Sequence, residues 1–244
     1  MSSAGPESAG QFNTTRWSVV LMAGRTMSPE SEAALEKLCR AYWQPVCSFA
    51  RRKGWNEEDA KDLTQQFFAS LLQRKDFSGL DRRKGKFRTF LLAAFTHFLA
   101  NEYDRTTAQK RGGGSTIISL DQFAPDELGR AGPATDVAPD TIYDMRWAQT
   151  ILQAALRQLK DEMSTVNRQR QFDELKHFLT AHAAPGEYAL IAQKLGVEAA
   201  AAPVMVHRLR HRFRELVRAE VAQTVSSPLE LEEEMRYLFA VLNQ

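Results

Sequence analysis

The sequence predicts an all-α protein, with two helical domains joined by a flexible linker and an amphipathic helix at the C-terminus. Three observations carry this. Apolar residues recur at three- and four-residue steps along most of the chain, the period of a buried helix face. Helix starts are marked by a capping residue followed by proline or acids, as in Ser28-Pro29-Glu30, Asn56-Glu57-Glu58 and Ser227-Pro228. Between Gly112 and about Pro139 the period is lost and glycine, proline, serine and acids take over, the composition of a linker. That stretch holds one extended apolar patch, Ile117-Ile118-Ser119-Leu120.

Taken in order, residues 1–13 are small and polar, and disorder is expected there. Thr14 or Thr15 can cap a short helix anchored by Trp17. A long helix comes next from Pro29 to Ala50, with Leu35, Leu38, Tyr42, Val46 and Phe49 as its stripe; Pro45 inside it predicts a kink or an interruption. Asn56 caps the next helix, which runs to about Arg74 with Leu63, Phe67, Leu71 and Leu72 inward, and Asp62, Gln65, Gln66 and Ser70 elsewhere. Arg82-Arg83-Lys84-Gly85-Lys86 is a basic loop leading into the stretch around which the chain is organised, Phe87 to Gly114. There Phe87, Leu91, Ala94, Phe95, Phe98 and Leu99 make a greasy face. Arg88, Thr89, His97, Asn101, Asp104 and Arg105 are expected largely on the other, which ends in Gln109, Lys110 and Arg111 before three glycines stop the helix.

Beyond the linker, helices are expected at Thr141–Lys160, with Trp147, Ile151, Ala155 and Leu159 in phase, and at Gln169–Ala181, with Phe172, Leu175 and Leu179. Glu187–Leu195, a tight turn at Gly196-Val197 and a second helix from about Ala199 have the layout of a helix-turn-helix. In that second helix Val206, Leu209, Phe213 and Leu216 or Val217 form the inner stripe, and His207, Arg208, Arg210, His211, Arg212, Arg214 and Arg218 crowd the rest. A solvated helix face usually alternates its charge sign, whereas here Glu215 is almost the only acid. The tail after Ser227-Pro228 is an acidic amphipathic helix with Met235, Leu238, Phe239 and Leu242 on one side, too short to stand alone.

Composition narrows the function classes. At 244 residues the chain can hold two small domains, and a formal net charge of +2 puts any nucleic-acid contact down to local clusters rather than to the whole. Cys39 and Cys47 have no zinc or disulfide spacing and read as buried thiols in a reducing cytoplasm. The first residues lack the basic start and apolar run of a signal peptide, no stretch approaches a membrane span, and a cytoplasmic location without membrane insertion is expected.

Three blocks carry a resemblance. NEEDAKDLTQQFFASLL, FRTFLLAAFTHFLANEYDR followed by AQKRGGG, and YALIAQKLGV with VHRLRHRFRELVRAEVAQTV resemble, in order and spacing, an RNA polymerase sigma factor of the sigma-70 family, extracytoplasmic-function (ECF) type. The ending AQTVSSPLELEEEMRYLFAVL resembles a subgroup with a short C-terminal helical extension. The resemblance implies a region 2-like domain over 14–112, a linker over 113–140, a region 4-like helix-turn-helix domain over 141–225 and the extension over 226–244. It implies a chain that binds core RNA polymerase and directs promoter recognition and melting, with no cofactor and no catalysis of its own. Partners would be core RNA polymerase and promoter DNA, with an anti-sigma factor or other regulator as a further class.

By the same resemblance, Asp62, Gln65 and Gln66 would dock the polymerase clamp. Arg88, His97, Asn101, Arg105, Lys110 and Arg111 would hold the −10 region, and Ala200, Pro203, Val204, His207, Arg208, His211 and Arg212 the −35 region. Departures from the family pattern stand at Gln66, where a glutamate is usual, and over Glu198–Val204, where Glu198 replaces a better cap and Pro203 a basic residue. Placed just past the first turn, Pro203 is expected to delete a backbone bond. Two other classes stay open. A dimeric helix-turn-helix regulator could use the C-terminal helix to self-associate without polymerase. An enzyme acting on nucleic acid would need a spaced cluster of acids, histidines or a nucleophile, which the sequence does not present. His207 and His211 stand four apart like a zinc pair but lack a third ligand nearby.

Overall fold

The computed structural model describes residues 15–23, 28–73, 86–111 and 138–243, with the backbone alone for 23 and 106–111. Among them there is no strand. The expected disorder of 1–13, the cap at Thr14, the basic residues Arg82 to Lys84, the side chains of Lys110 and Arg111, the three glycines and the patch at Ile117–Leu120 lie outside the described residues.

Local signals place the first helices. Thr15 Oγ1 accepts from the Ser18 amide and Ser18 Oγ from the Thr15 amide, a reciprocal cap that starts α1 (Arg16–Ala23) and seats Trp17 in the core. Ser28 and Ser31 form the same kind of box at the start of α2 (Pro29–Arg52), with Pro29 in its first turn. The interruption expected at Pro45 does not occur. The helix runs through it, and Pro45 is buried among the apolar residues of the stripe, so packing outweighs the lost backbone bond. Asn56 Oδ1 accepts from the Asp59 amide and opens α3 (Glu57–Gln73). On α3 the inner face takes Phe68 alongside Leu63, Phe67 and Leu71, while Leu72 points out.

Helix α4 (Phe87–Arg111) buries Phe87, Leu91, Phe95 and Leu99. Its rings meet those of α3, with Phe67 centroids 4.9 Å from Phe95 and 5.6 Å from Phe98, which fixes the two helices against each other. After the linker, α5 (Pro139–Thr165) packs most extensively on α2 and then on α8 (Ala201–Ala222). It therefore ties the first group of helices to the last in one continuous hydrophobic core. Between them stand α6 (Gln169–Leu175), continued as a 3₁₀ turn over Lys176–Leu179, and α7 (Glu187–Leu195). Helix α9 (Pro228–Leu242) lies on α5 and α8.

The end of α8 is stitched to the front of the molecule. Gln223 O accepts from the Trp17 amide at 3.1 Å, Thr224 O from the Phe87 amide at 2.9 Å, and Val225 O from the Thr15 hydroxyl at 2.7 Å. Among the described residues no helix is long and apolar enough to cross a membrane.

Candidate polymerase and nucleic-acid interfaces

Helix α3 presents Asp62, Gln65 and Gln66 together on its exposed side, one turn apart, because Leu63, Thr64, Phe67 and Phe68 are held inward. Thr64 satisfies its hydroxyl on the Ala60 carbonyl, so the buried side leaves no polar group in need of water. The result is a short acid-and-amide strip on a rigid helix, suited to hydrogen-bond donors and cations on a partner.

On α4 the site expected at the −10 region divides. Asn101, Asp104 and Arg105 are exposed, His97 is half-buried, and Arg105 pairs with Glu102 at 3.2 Å. Arg88 stands about 25 Å from Arg105 along the helix axis, at 1.5 Å per residue. It is not on the outer face in this arrangement: its side chain is 11% exposed. At roughly 100° per residue, position 88 falls between 95 and 99 on the helix circumference, within the stripe that Phe95 and Leu99 bury. Phe87 and Phe95 point into the core, and the exposed aromatic among the described residues of this helix is Tyr103.

Arg88 is the centre of a buried polar clamp where α4, α5 and α9 converge. Its Nη1 donates to Asp144 at 2.6 Å and its Nε to Glu234 at 2.7 Å, while its guanidinium lies 4.3 Å from the Tyr237 ring centroid and 5.0 Å from that of Trp147. Tyr237 donates to the second oxygen of Asp144 at 2.5 Å, Tyr143 donates to the Arg88 carbonyl at 3.1 Å, and Lys86 reaches Glu233 at 3.0 Å and Glu234 at 3.5 Å. Glu234 is fully buried. Burial opposes the charge on Arg88, but the hydrogen bond and charge of Glu234, then Asp144, outweigh it and hold the guanidinium above its ordinary range. Burial likewise raises Asp144 above 3.8, against the Tyr237 hydrogen bond and Arg88. Tyr237 is pushed up to about 12, by burial first and then by its bond to Asp144.

The inner stripe of α9 is Leu231, Glu234, Leu238 and Val241, rotated from the expected one so that Phe239 and Leu242 face out. The cation at Arg88 accounts for the rotation, since it draws Glu234 to the centre. Sequence reasoning misses Asp144, Glu234 and Tyr237. A signal is present for two of them: an acid one turn before Trp147, and an acid in phase between Leu231 and Leu238.

The helix-turn-helix forms as α7, a turn and α8. Gly196 takes φ 66°, the left-handed conformation that ends α7. Glu198 does not cap α8. Ala200 is the N-cap, without a side-chain bond, and the Glu198 carbonyl accepts from the Ala201 amide. Pro203 is the third residue of α8, within the first turn, where amides have no intrahelical acceptor; the expected lost bond is therefore not lost.

Ala200, Pro203, Val204, His207, Arg208, His211 and Arg212 are all exposed and lie along one side of α8 and the turn before it. Their electrostatics differ. Arg212 is held by Glu162 and Glu215, both at 2.8 Å, and His211 lies 3.6 Å from Glu215. Arg210 turns away to bond the Phe178 and Ala181 carbonyls at 2.7 Å, and Arg218 pairs with Glu232. Arg208 and Arg214 have no ion-pair partner among the described residues and project as open cations. Among those residues no three of histidine, cysteine and acid are grouped to hold a metal ion.

In comparison with known proteins, a family model described as ECF sigma factor fits residues 27–184. That segment covers α2 to the 3₁₀ turn and stops just before α7. No curated protein and no solved structure matches the chain.

Proposed function

The chain belongs to the ECF sigma factor family, and on that premise we propose that it binds core RNA polymerase through α3 and directs it to promoters through α4 and α8. The observation that carries this is the pair of exposed, chemically distinct helix faces fixed on rigid neighbours. One is the acid-and-amide strip of Asp62, Gln65 and Gln66. The other is the cationic side of α8, with Arg208 unpaired among the described residues.

Asp62, Gln65 and Gln66 would accept and donate hydrogen bonds at the polymerase clamp. His97, Asn101, Arg105, Lys110 and Arg111 would hold the −10 strand, with Arg88 joining them once free of its carboxylates. Tyr103 adds the ring that buried Phe87 and Phe95 cannot offer. Unstacking a base costs a few kcal/mol, and stacking on an aromatic side chain returns about 1–3 kcal/mol. Melting therefore draws on binding energy from the whole polymerase complex, and the free chain should bind duplex weakly. On α8, Arg208 and His207 would meet base edges or phosphates, and Arg212 would exchange its carboxylates for a phosphate.

Co-purification with core polymerase, followed by run-off transcription on a promoter library, tests the reading. Initiation at a defined set of sites supports it. Failure to associate, or transcription unchanged by Arg208→Ala, removes the polymerase role or the α8 contact respectively. The outward Leu229, Phe239 and Leu242 on α9 favour a second reading, a dimeric regulator. Light scattering separates the two: a stable dimer with tight operator binding in the absence of polymerase would favour it.

A further inference from the structure

We propose that the leading end of α8 selects promoters by the C5-methyl group of thymine, with Pro203 and Val204 as specificity-determining side chains and Arg208 reading a guanine beside it. This rests on the sigma-factor reading above and names the chemistry that its α8 contact selects. From Ala199 to Val206, eight consecutive residues carry no nitrogen or oxygen in their side chains. Ala202 and Val206 are buried and seat the helix, while Ala199, Ala200, Pro203 and Val204 are exposed, Val204 to 49%. The backbone there is short of donors too. A helix start ordinarily holds a phosphate by its free amides. Here the Ala201 amide is spent on the Glu198 carbonyl at 2.9 Å, and Pro203 has no N–H. Glu198, exposed in the turn before α8, adds a negative charge that repels phosphate. What this end offers a partner is methyl and methylene surface.

In a helix-turn-helix the first residues of the second helix are the ones that face base edges in the major groove. Of the groups displayed in that groove, the thymine methyl is the one an apolar side chain recognises. Cytosine has a hydrogen at the same place, so a valine set against it would lose its contact. Donors and acceptors of other base edges would lose water against Val204 and gain no bond in return. An apolar patch also suits a protein partner, but this one continues along the same side of α8 into His207 and Arg208, which favours DNA. Arg208 has no ion-pair partner among the described residues, and its fork matches the O6 and N7 of guanine. It follows Val204 by about 6 Å of helix, close to two base-pair steps of about 3.4 Å. The thymine and the guanine should therefore stand about two base pairs apart.

Deoxyuridine in place of thymine reads the contact, because the methyl alone is lost. The DNA comes from the run-off library, selected by the full chain loaded on core polymerase. Replacing the thymines of the −35 half one at a time should weaken binding about fourfold at one or two positions, the effect of one buried methyl. With Val204→Ala, an exposed position outside the core, the same replacement should cost less than twofold. No uracil-sensitive position in the wild type, or an undiminished response in Val204→Ala, overturns the proposal. So does a Val204→Ala chain that binds core polymerase more weakly in the absence of DNA, since the patch would then be a protein contact. Should the wild-type chain never load on core polymerase, the sigma-factor reading falls instead. The same comparison on duplexes selected by the free chain then judges the methyl contact, and a chain that selects none overturns it.

Discussion

Arg88 lies between two acids, one of them without any solvent contact, so removing the cation leaves two carboxylates facing each other in the core. Breaking a buried pair from one side costs about 3–5 kcal/mol. Arg88→Ala should lower the unfolding free energy by about that much in urea titration, and Arg88→Lys should recover only part, because an ammonium cannot fork across both acids. The pH dependence has a definite sign. Burial lifts Asp144 above 3.8 in the folded state, so its proton is held more tightly folded than unfolded. The stability this gives is complete below pH 3.8 and lost as pH rises through the raised value. Wild type measured against Asp144→Asn should therefore lose relative stability as pH climbs from about 4 towards neutrality, in a series of urea midpoints. This scale is the hardest to read from sequence. Chemistry groups Arg88 with the polar face, although its position on the helix circumference falls inside the Phe95 and Leu99 stripe. Its partners arrive from helices 56 and 146 residues away, which no local pattern reports.

Periodicity and caps speak for elements, and here the sequence is legible almost throughout. Ser28, Asn56 and Ser227 all cap where expected, and α7 has the expected bounds. The departures have physical causes. Pro45 is accommodated because core packing holds the helix on both sides of it. Helix α9 rolls because one acid in its apolar stripe has a cation to meet. Pro203 reads as too deep in α8 because the helix start lacks a side-chain cap, and its true position changes the expected effect of mutation. Replacing an interior proline by alanine gains about 3 kcal/mol. Replacing one in the first turn should lose about 0.4–1 kcal/mol, through the freer unfolded chain. Thermal denaturation of Pro203→Ala distinguishes a slight fall in Tm from a large rise.

For the whole molecule, the contact of α5 with both α2 and α8 is what no sequence pattern announces. Each group of helices shows its own amphipathic faces, and those faces do not say which partner they will choose. Because Tyr143, Trp147 and Ile151 belong to the same core as Tyr42 and Phe49, melting should be cooperative across both groups. Calorimetry of the free chain should show one transition with equal calorimetric and van't Hoff enthalpies; two resolved transitions would count against a shared core.

The stitching of Thr15, Trp17 and Phe87 to the carbonyls of Gln223, Thr224 and Val225 bears on how the protein is made. In translation the α1 segment is made well before the acceptors for these bonds, which for the Thr15 hydroxyl lie 210 residues further on. The α1 segment thus waits for the synthesis of residues 223–225 before it is fastened, and a chain cut short before residue 223 would be released with that seam undone.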